Sequence, residues 1–364
     1  MIFYKSYCLT SIFILLSISI ISCNKEIKRD YKVIYLVKLN SYKVGYCFKY
    51  KNIKECNIYF YANNKKINFK TKLKKEDKKY YYSDLEFKRV FKTDKQVYPF
   101  LFDNFNKNDK IYYPKESLEI PISELGIKKI KNGYIALPFT YIKVDKIPKL
   151  DSLDIKKIRS FKVKKIKEDY LMNMKVEIKS DYLPPSDLRQ KCTLTTSNKI
   201  ICNLYRGSHT STTLSNHTST NTSTNSPKLE KFIKKYNIKK GDNLIPNLIN
   251  ALHKEIKYKD VSKKNDTEII LKNKEGDCTE FSHVAKDSLL FLGIKAKKVY
   301  GLLYQNNKFV YHSWVEYSKD KETYAFDPTL KRVTLTPNYI TLTRENSYGV
   351  MIMPLIEDIK IISP

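Results

Sequence analysis

Gly276-Asp277-Cys278-Thr279-Glu280-Phe281-Ser282 marks the point where a loop rich in Lys and Asn gives way to an amphipathic helix. After Cys278 the apolar residues fall at Phe281, Val284, Ala285, Leu289 and Leu292, the spacing of one helical face, and Gly293 follows as a C-terminal stop. Cys278 therefore sits in the first turn. There the unpaired backbone N–H groups and the positive end of the helix dipole favour a thiolate, the state a nucleophilic cysteine needs. The competing reading is a small core residue, because free cysteine is among the most buried residue types.

Downstream, Phe309-Val310-Tyr311-His312-Ser313-Trp314-Val315-Glu316-Tyr317 reads as a strand, and Thr323-Tyr324-Ala325-Phe326 leads into Asp327-Pro328-Thr329. A Cys at a helix start, a His within a strand and an Asp at a strand end supply a nucleophile, a base and an orienter. Alternation puts His312 on one strand face with Val310 and Trp314, the face expected to meet the Cys278 helix, with Asp327 accepting the other imidazole N–H. His283 competes by proximity in sequence, but five residues along a helix is about 140° around the axis. His253 reads as a boundary residue. Glu316 lies roughly 13 Å from His312 along the strand, too far to orient its ring.

The segments GDCTEFS, HSWVE and DPT, 34 residues from Cys278 to His312 and 15 more to Asp327, resemble the transglutaminase-like superfamily of papain-type cysteine enzymes over roughly residues 227–343. The resemblance implies a papain-like core, a Cys278–His312–Asp327 triad and amide chemistry through a thioester. It implies that Trp314 shields the His–Asp pair. It also points to the region of Tyr258 for a second oxyanion donor beside the Cys278 N–H. A calcium site, present in some animal relatives, has no acidic cluster here to support it, and no cofactor is called for.

The helices before the Cys278 segment follow the same layout. Ser226-Pro227 is an N-cap and first-turn pair ahead of Leu229, Phe232, Ile233 and Tyr236. A second helix carries Leu244, Ile245, Leu248, Ile249, Leu252 and Ile256 on one face, and a short third is expected near Thr267 to Lys272. Three strands follow Gly293. Helices first and antiparallel strands after make an α+β domain.

Toward the start of the chain, Lys5, an apolar run from Ile12 to Ile21 and then Ser22-Cys23 read as a secretory signal, too short to span a membrane. Cys23 after a small residue looks like the lipidated first residue of a bacterial lipoprotein, so residues 1–22 are read as signal, 23–30 as tether and the lipid bilayer as a partner. The formal net charge of +30 comes from 68 Lys and Arg against 38 Asp and Glu, spread along the chain. With Lys, Ile, Asn and Tyr in excess together, it reads as compositional bias and attraction to an anionic envelope surface, and nucleic acid is not expected as a partner.

Residues 31–207 are rich in Tyr, Ile, Val and Phe in short runs and contain no His, which predicts a mostly β domain without a catalytic set. A hairpin turning at Lys51-Asn52 sets Cys47 opposite Cys56, and one turning around Ser197 sets Cys192 opposite Cys202. Two such pairs in an exported chain predict two disulfides confined to this domain, and without CxxC spacing or a nearby His they do not suggest a metal. The Ser/Thr/Asn-rich tract 208–226, with His209 and His217, reads as a flexible linker, and 344–364 as a C-terminal extension. Three classes stay open: a membrane-anchored cysteine enzyme acting on envelope protein or peptide, a non-catalytic scaffold on the same fold, and an envelope-binding module.

Overall fold

The computed structural model describes residues 33–363 apart from short gaps and the longer stretches 148–156, 163–171, 212–225, 260–265 and 347–353. Cys23 and the signal-like run, and His217 in the Ser/Thr/Asn tract, lie outside the described residues.

The Tyr- and Ile-rich N-terminal runs form one ten-stranded sheet among the described residues. It meanders from Val33–Leu39 to Lys88–Phe91, and Phe139–Val144 returns to pair with the first strand, Ile34 opposite Val144. Alternation buries one set of residues, among them Val37, Ile58, Leu73, Tyr134 and Tyr141, in a core closed by Phe100 and Leu101. Cys47 stands opposite Cys56 across a hairpin, and Cys192 opposite Cys202 across another. Both pairs are disulfide-bonded, as the register predicts, which is compatible with a compartment outside the cytoplasm.

The C-terminal part begins with α1 (Pro227–Lys235), α2 (Leu244–Glu255) and α3 (Thr267–Asn273), followed by α4 (Cys278–Phe291). Ser226 caps α1 by accepting from Leu229 N at 3.2 Å, and Asp266 caps α3 by accepting from Ile269 N at 3.1 Å. Phe281, Val284, Ala285 and Leu289 of α4 are all fully buried against Leu248, Leu252 and Ile270 of the other helices and against Val315 and Phe326 of the sheet. Burial of Phe281, Val284 and Leu289 contributes about 1.5–3 kcal/mol each. The antiparallel sheet runs Glu322–Phe326, Lys308–Lys319, Ala296–Gln305, Tyr339–Arg344. The chain is α+β, as expected.

The cores divide differently from the sequence reading. Strands Asn173–Lys179, Gln190–Thr196 and Lys199–Tyr205, assigned above to the N-terminal domain, pack on the sheet that carries His312: Val176, Ile200, Cys202 and Leu204 share a core with Leu302, Tyr304, Phe309, Ile340 and Leu342. The C-terminal extension joins them, since Asp358–Ser363 pairs with Asn173–Lys179. The tract read as a linker begins with His209–Ser211 paired to Glu322–Phe326. Alternation marks a strand's two faces but not what covers them, so these assignments were not visible in the residues. No helix among the described residues is long and apolar enough to cross a membrane.

The Cys192–Cys202 bridge therefore braces the sheet that packs on the one carrying His312, not the N-terminal sheet. Replacing both cysteines by Ser should cost about 2–3 kcal/mol. Fluorescence of the single tryptophan, Trp314, buried in that unit, should report an unfolding midpoint at lower denaturant. The Cys47, Cys56 double Ser variant should shift that midpoint less.

Candidate active site

The turn into α4 is built to hold Cys278 at its start. Asp277 Oδ1 accepts from Thr279 N at 2.7 Å, and Glu280 Oε2 accepts from Asp277 N at 2.9 Å, a complete capping box. Glu280 is buried in that role. A Cβ on residue 276 would lie 2.4 Å from the Glu280 Cβ, so Gly276 leaves room for the side chain to reach back. Cys278 is half-buried and outside any disulfide. Ser313 Oγ donates to the Cys278 carbonyl at 2.6 Å and lies 3.1 Å from Ser282 Oγ, which fastens the helix start to the strand next to His312.

His312 and Asp327 are 7% and 0% exposed. His312 Nε2 lies 2.8 Å from Asp327 Oδ2, and because a carboxylate only accepts, Nε2 carries the proton. The Cys278 side chain also acts on the ring, favouring its protonated form, so His312 interacts with both of the other residues. Burial alone would lower the imidazole pKa. The Asp327 charge, the hydrogen bond to it and the contacts with Cys278 outweigh burial and hold the imidazole up at about 10. Burial would raise Asp327, yet the His312 charge and hydrogen bond, with donation from Tyr339 and a backbone N–H, keep it below the usual carboxylate value. Thr329 N and Leu330 N donate to Asp327 Oδ1 at 2.8 and 3.1 Å, so Asp-Pro-Thr forms the turn that aims the carboxylate.

One expectation needs correction. The strand face that packs on α4 is that of Ser313 and Val315, whereas Val310, Trp314 and Tyr339 form a separate cluster on the opposite face. His312 lies in that opposite row, 6.5 Å from the Trp314 ring and 6.2 Å from Tyr339. Glu322–Phe326 pairs with the His312 strand only from Val315 onward and Phe161–Lys162 only at Phe309 and Lys308, so among the described residues that edge carries no strand partner beside His312, and the helix start is tied to the strand at Ser313. Trp314 is fully buried, 5.4 Å from Tyr339 in an edge-on contact.

The other residues weighed from sequence fall into place separately. His283 lies 3.4 Å from Asp287, one turn further along α4, and burial pushes its pKa well down. His253 Nε2 lies 2.9 Å from the Pro328 carbonyl, tying α2 to the segment after Asp327, a contact the residues did not reveal. Glu316 pairs with Arg344 at 2.8 Å. Tyr258 is 61% exposed, on a two-residue strand whose partner is Glu275–Gly276, immediately before Cys278. Sequence reasoning missed Ser313, Tyr339 and Tyr300, whose hydroxyl meets Thr279 Oγ1 at 3.2 Å. Ser313 stands inside HSWVE but carries no signal of its own there, Tyr339 and Tyr300 belong to no motif, and each is defined by a contact with an element distant in sequence.

Residues 235–328 match the model of the transglutaminase-like superfamily, and this chain thus contains a transglutaminase-like domain. Among solved structures it is similar to a candidate cysteine protease from Cytophaga hutchinsonii, at 12% identity and TM-score 0.35, over 56% of this chain and 85% of that one. A TGase is similar at 13% identity and TM-score 0.26, over 39% of this chain and 44% of the other. No curated protein matches.

The raised imidazole makes a stability prediction. A group whose folded pKa lies above its unfolded value, here about 6.5, stabilises fully below that value and loses the contribution as pH rises toward about 10. Urea unfolding of the wild type should show this decline between those limits. The Asp327→Asn variant, less stable at neutral pH, should show a shallower one.

Proposed function

We propose that the chain is a cysteine enzyme that cleaves or transfers the acyl group of amide bonds, with Cys278 as nucleophile, His312 as acid and base, and Asp327 as orienter. The observation that carries the reading is the place of His312, hydrogen-bonded to a buried carboxylate at 2.8 Å and held in its protonated form by that carboxylate together with the Cys278 side chain. Cys278 Sγ attacks the carbonyl carbon, and the oxygen takes up the electron pair facing the Cys278 N–H at the helix start. Tyr258, beside the loop that carries Cys278, is the proposed second donor. The tetrahedral species expels the amine, which leaves with the His312 proton. Water or a second amine then attacks the thioester, giving its proton to His312, and the thiolate departs. Asp327 keeps the imidazole in the tautomer that serves both steps.

The exported setting belongs to the same proposal. The apolar run ending at Ser22-Cys23 supports a lipid anchor at Cys23, and the two disulfides fit an envelope location. Protein or peptide of the cell envelope is then the substrate class within reach.

Incubation with p-nitrophenyl acetate should add one acetyl group to Cys278, visible by intact mass and peptide mapping. Cys278→Ala should take up none while keeping its fold, and His312→Ala should acylate about 100-fold more slowly or worse. Acylation of wild type that is absent, or equal in His312→Ala, would leave the domain as a non-catalytic scaffold. Faster turnover when an amine is added would mark acyl transfer over hydrolysis.

A further inference from the structure

Asp327 receives one donor that neither the motif nor the proposed chemistry accounts for. Tyr339 OH donates to Asp327 Oδ2 at 2.7 Å, the same oxygen that takes His312 Nε2–H. Oδ1 is already held by the two backbone N–H groups, so these bonds leave the carboxylate plane free to pivot about that oxygen unless Oδ2 is also fixed. The only donors at Oδ2 among the described contacts are His312, whose position is the thing to be set, and Tyr339.

Tyr339 is itself immobilised from several sides. It is fully buried and meets Trp314 edge-on at 84°. The Arg332 guanidinium lies 5.6 Å over its ring. Its carbonyl accepts from the buried Arg189 at 3.3 Å, and two residues on Gln190 bonds both the Thr341 N–H and the Thr341 carbonyl, at 2.8 and 2.9 Å. The strand that presents Tyr339 is thus clamped by a segment far upstream in sequence.

We infer that Tyr339 is a positioning residue of this site: its hydroxyl fixes the Asp327 carboxylate in the plane that receives His312 Nε2–H. The effect on turnover rests on the catalytic reading above, whereas the effect on the His312 proton does not. Burial holds the phenol well above its ordinary pKa, so the donor keeps its proton at working pH. The charged and titratable groups around the pair are Cys278 from α4, His312, Tyr339, and the two arginines, Arg332 and Arg189. The competing role, a buried tyrosine that uses Asp327 only to satisfy its own hydroxyl, predicts no change at His312 when the hydroxyl is removed.

Tyr339→Phe keeps the ring against Trp314, so unchanged Trp314 fluorescence serves as the folding control. Proton NMR should show a low-field His312 Nε2–H signal in wild type, none in Asp327→Asn, and in Tyr339→Phe a broadened signal exchanging with solvent about tenfold faster. With p-nitrophenyl acetate, the maximal acylation rate of Tyr339→Phe should fall about tenfold at unchanged half-saturation. Its acid limb should move to higher pH, since Asp327 has lost a donor to its charged form. An exchange rate equal to wild type in folded Tyr339→Phe overturns the inference. Faster exchange supports it even where the wild type takes up no acetyl group, an outcome that sinks the catalytic reading alone.

Discussion

The contact on which the site depends is the buried pair of His312 and Asp327. Two ionised groups taken out of water are tolerated only when each satisfies the other and further donors fill the remaining lone pairs, and removing one partner from such a pair costs about 3–5 kcal/mol. The surroundings answer that demand. Asp327 takes four donors, one imidazole, one phenol and two backbone N–H groups. Gly301, opposite His312, has no side chain because a Cβ there would lie 1.8 Å from the Ile340 carbonyl and 2.5 Å from the Trp314 ring. Trp314 can therefore cover the pair.

Cys278 is placed by a second, separate device. A capping box and Gly276 define where α4 begins, the buried face of Phe281, Val284 and Leu289 sets its rotation, and Ser313 ties its first carbonyl to the His312 strand. Cys278 is thus positioned by backbone geometry, and His312 by the charge beneath it. The two devices meet where Ser313, next to His312 on the strand, takes hold of the Cys278 carbonyl.

What could be read from the residues is what depends on short range. The helix start at Cys278, the hairpin registers of the two cysteine pairs and the turn at Asp327 are each encoded within about ten residues. The face of the strand that meets α4 was misread because alternation distinguishes two faces without naming their neighbours. The strands within 173–205 look like their N-terminal counterparts, since both have one buried face, and only packing places their sheet against the sheet of His312. Tyr339 escaped notice in a chain with 29 tyrosines, where the residue type carries no information until its hydroxyl is seen on Asp327.

The central claim, that Cys278 and His312 act as one unit on Asp327, is tested most directly by the alkylation rate of Cys278 with iodoacetamide across pH 4 to 9, with the labelled peptide identified by mass. Coupling predicts that the alkylation profile of His312→Ala is displaced to higher pH than that of the wild type. Superimposable profiles for the two proteins would contradict it.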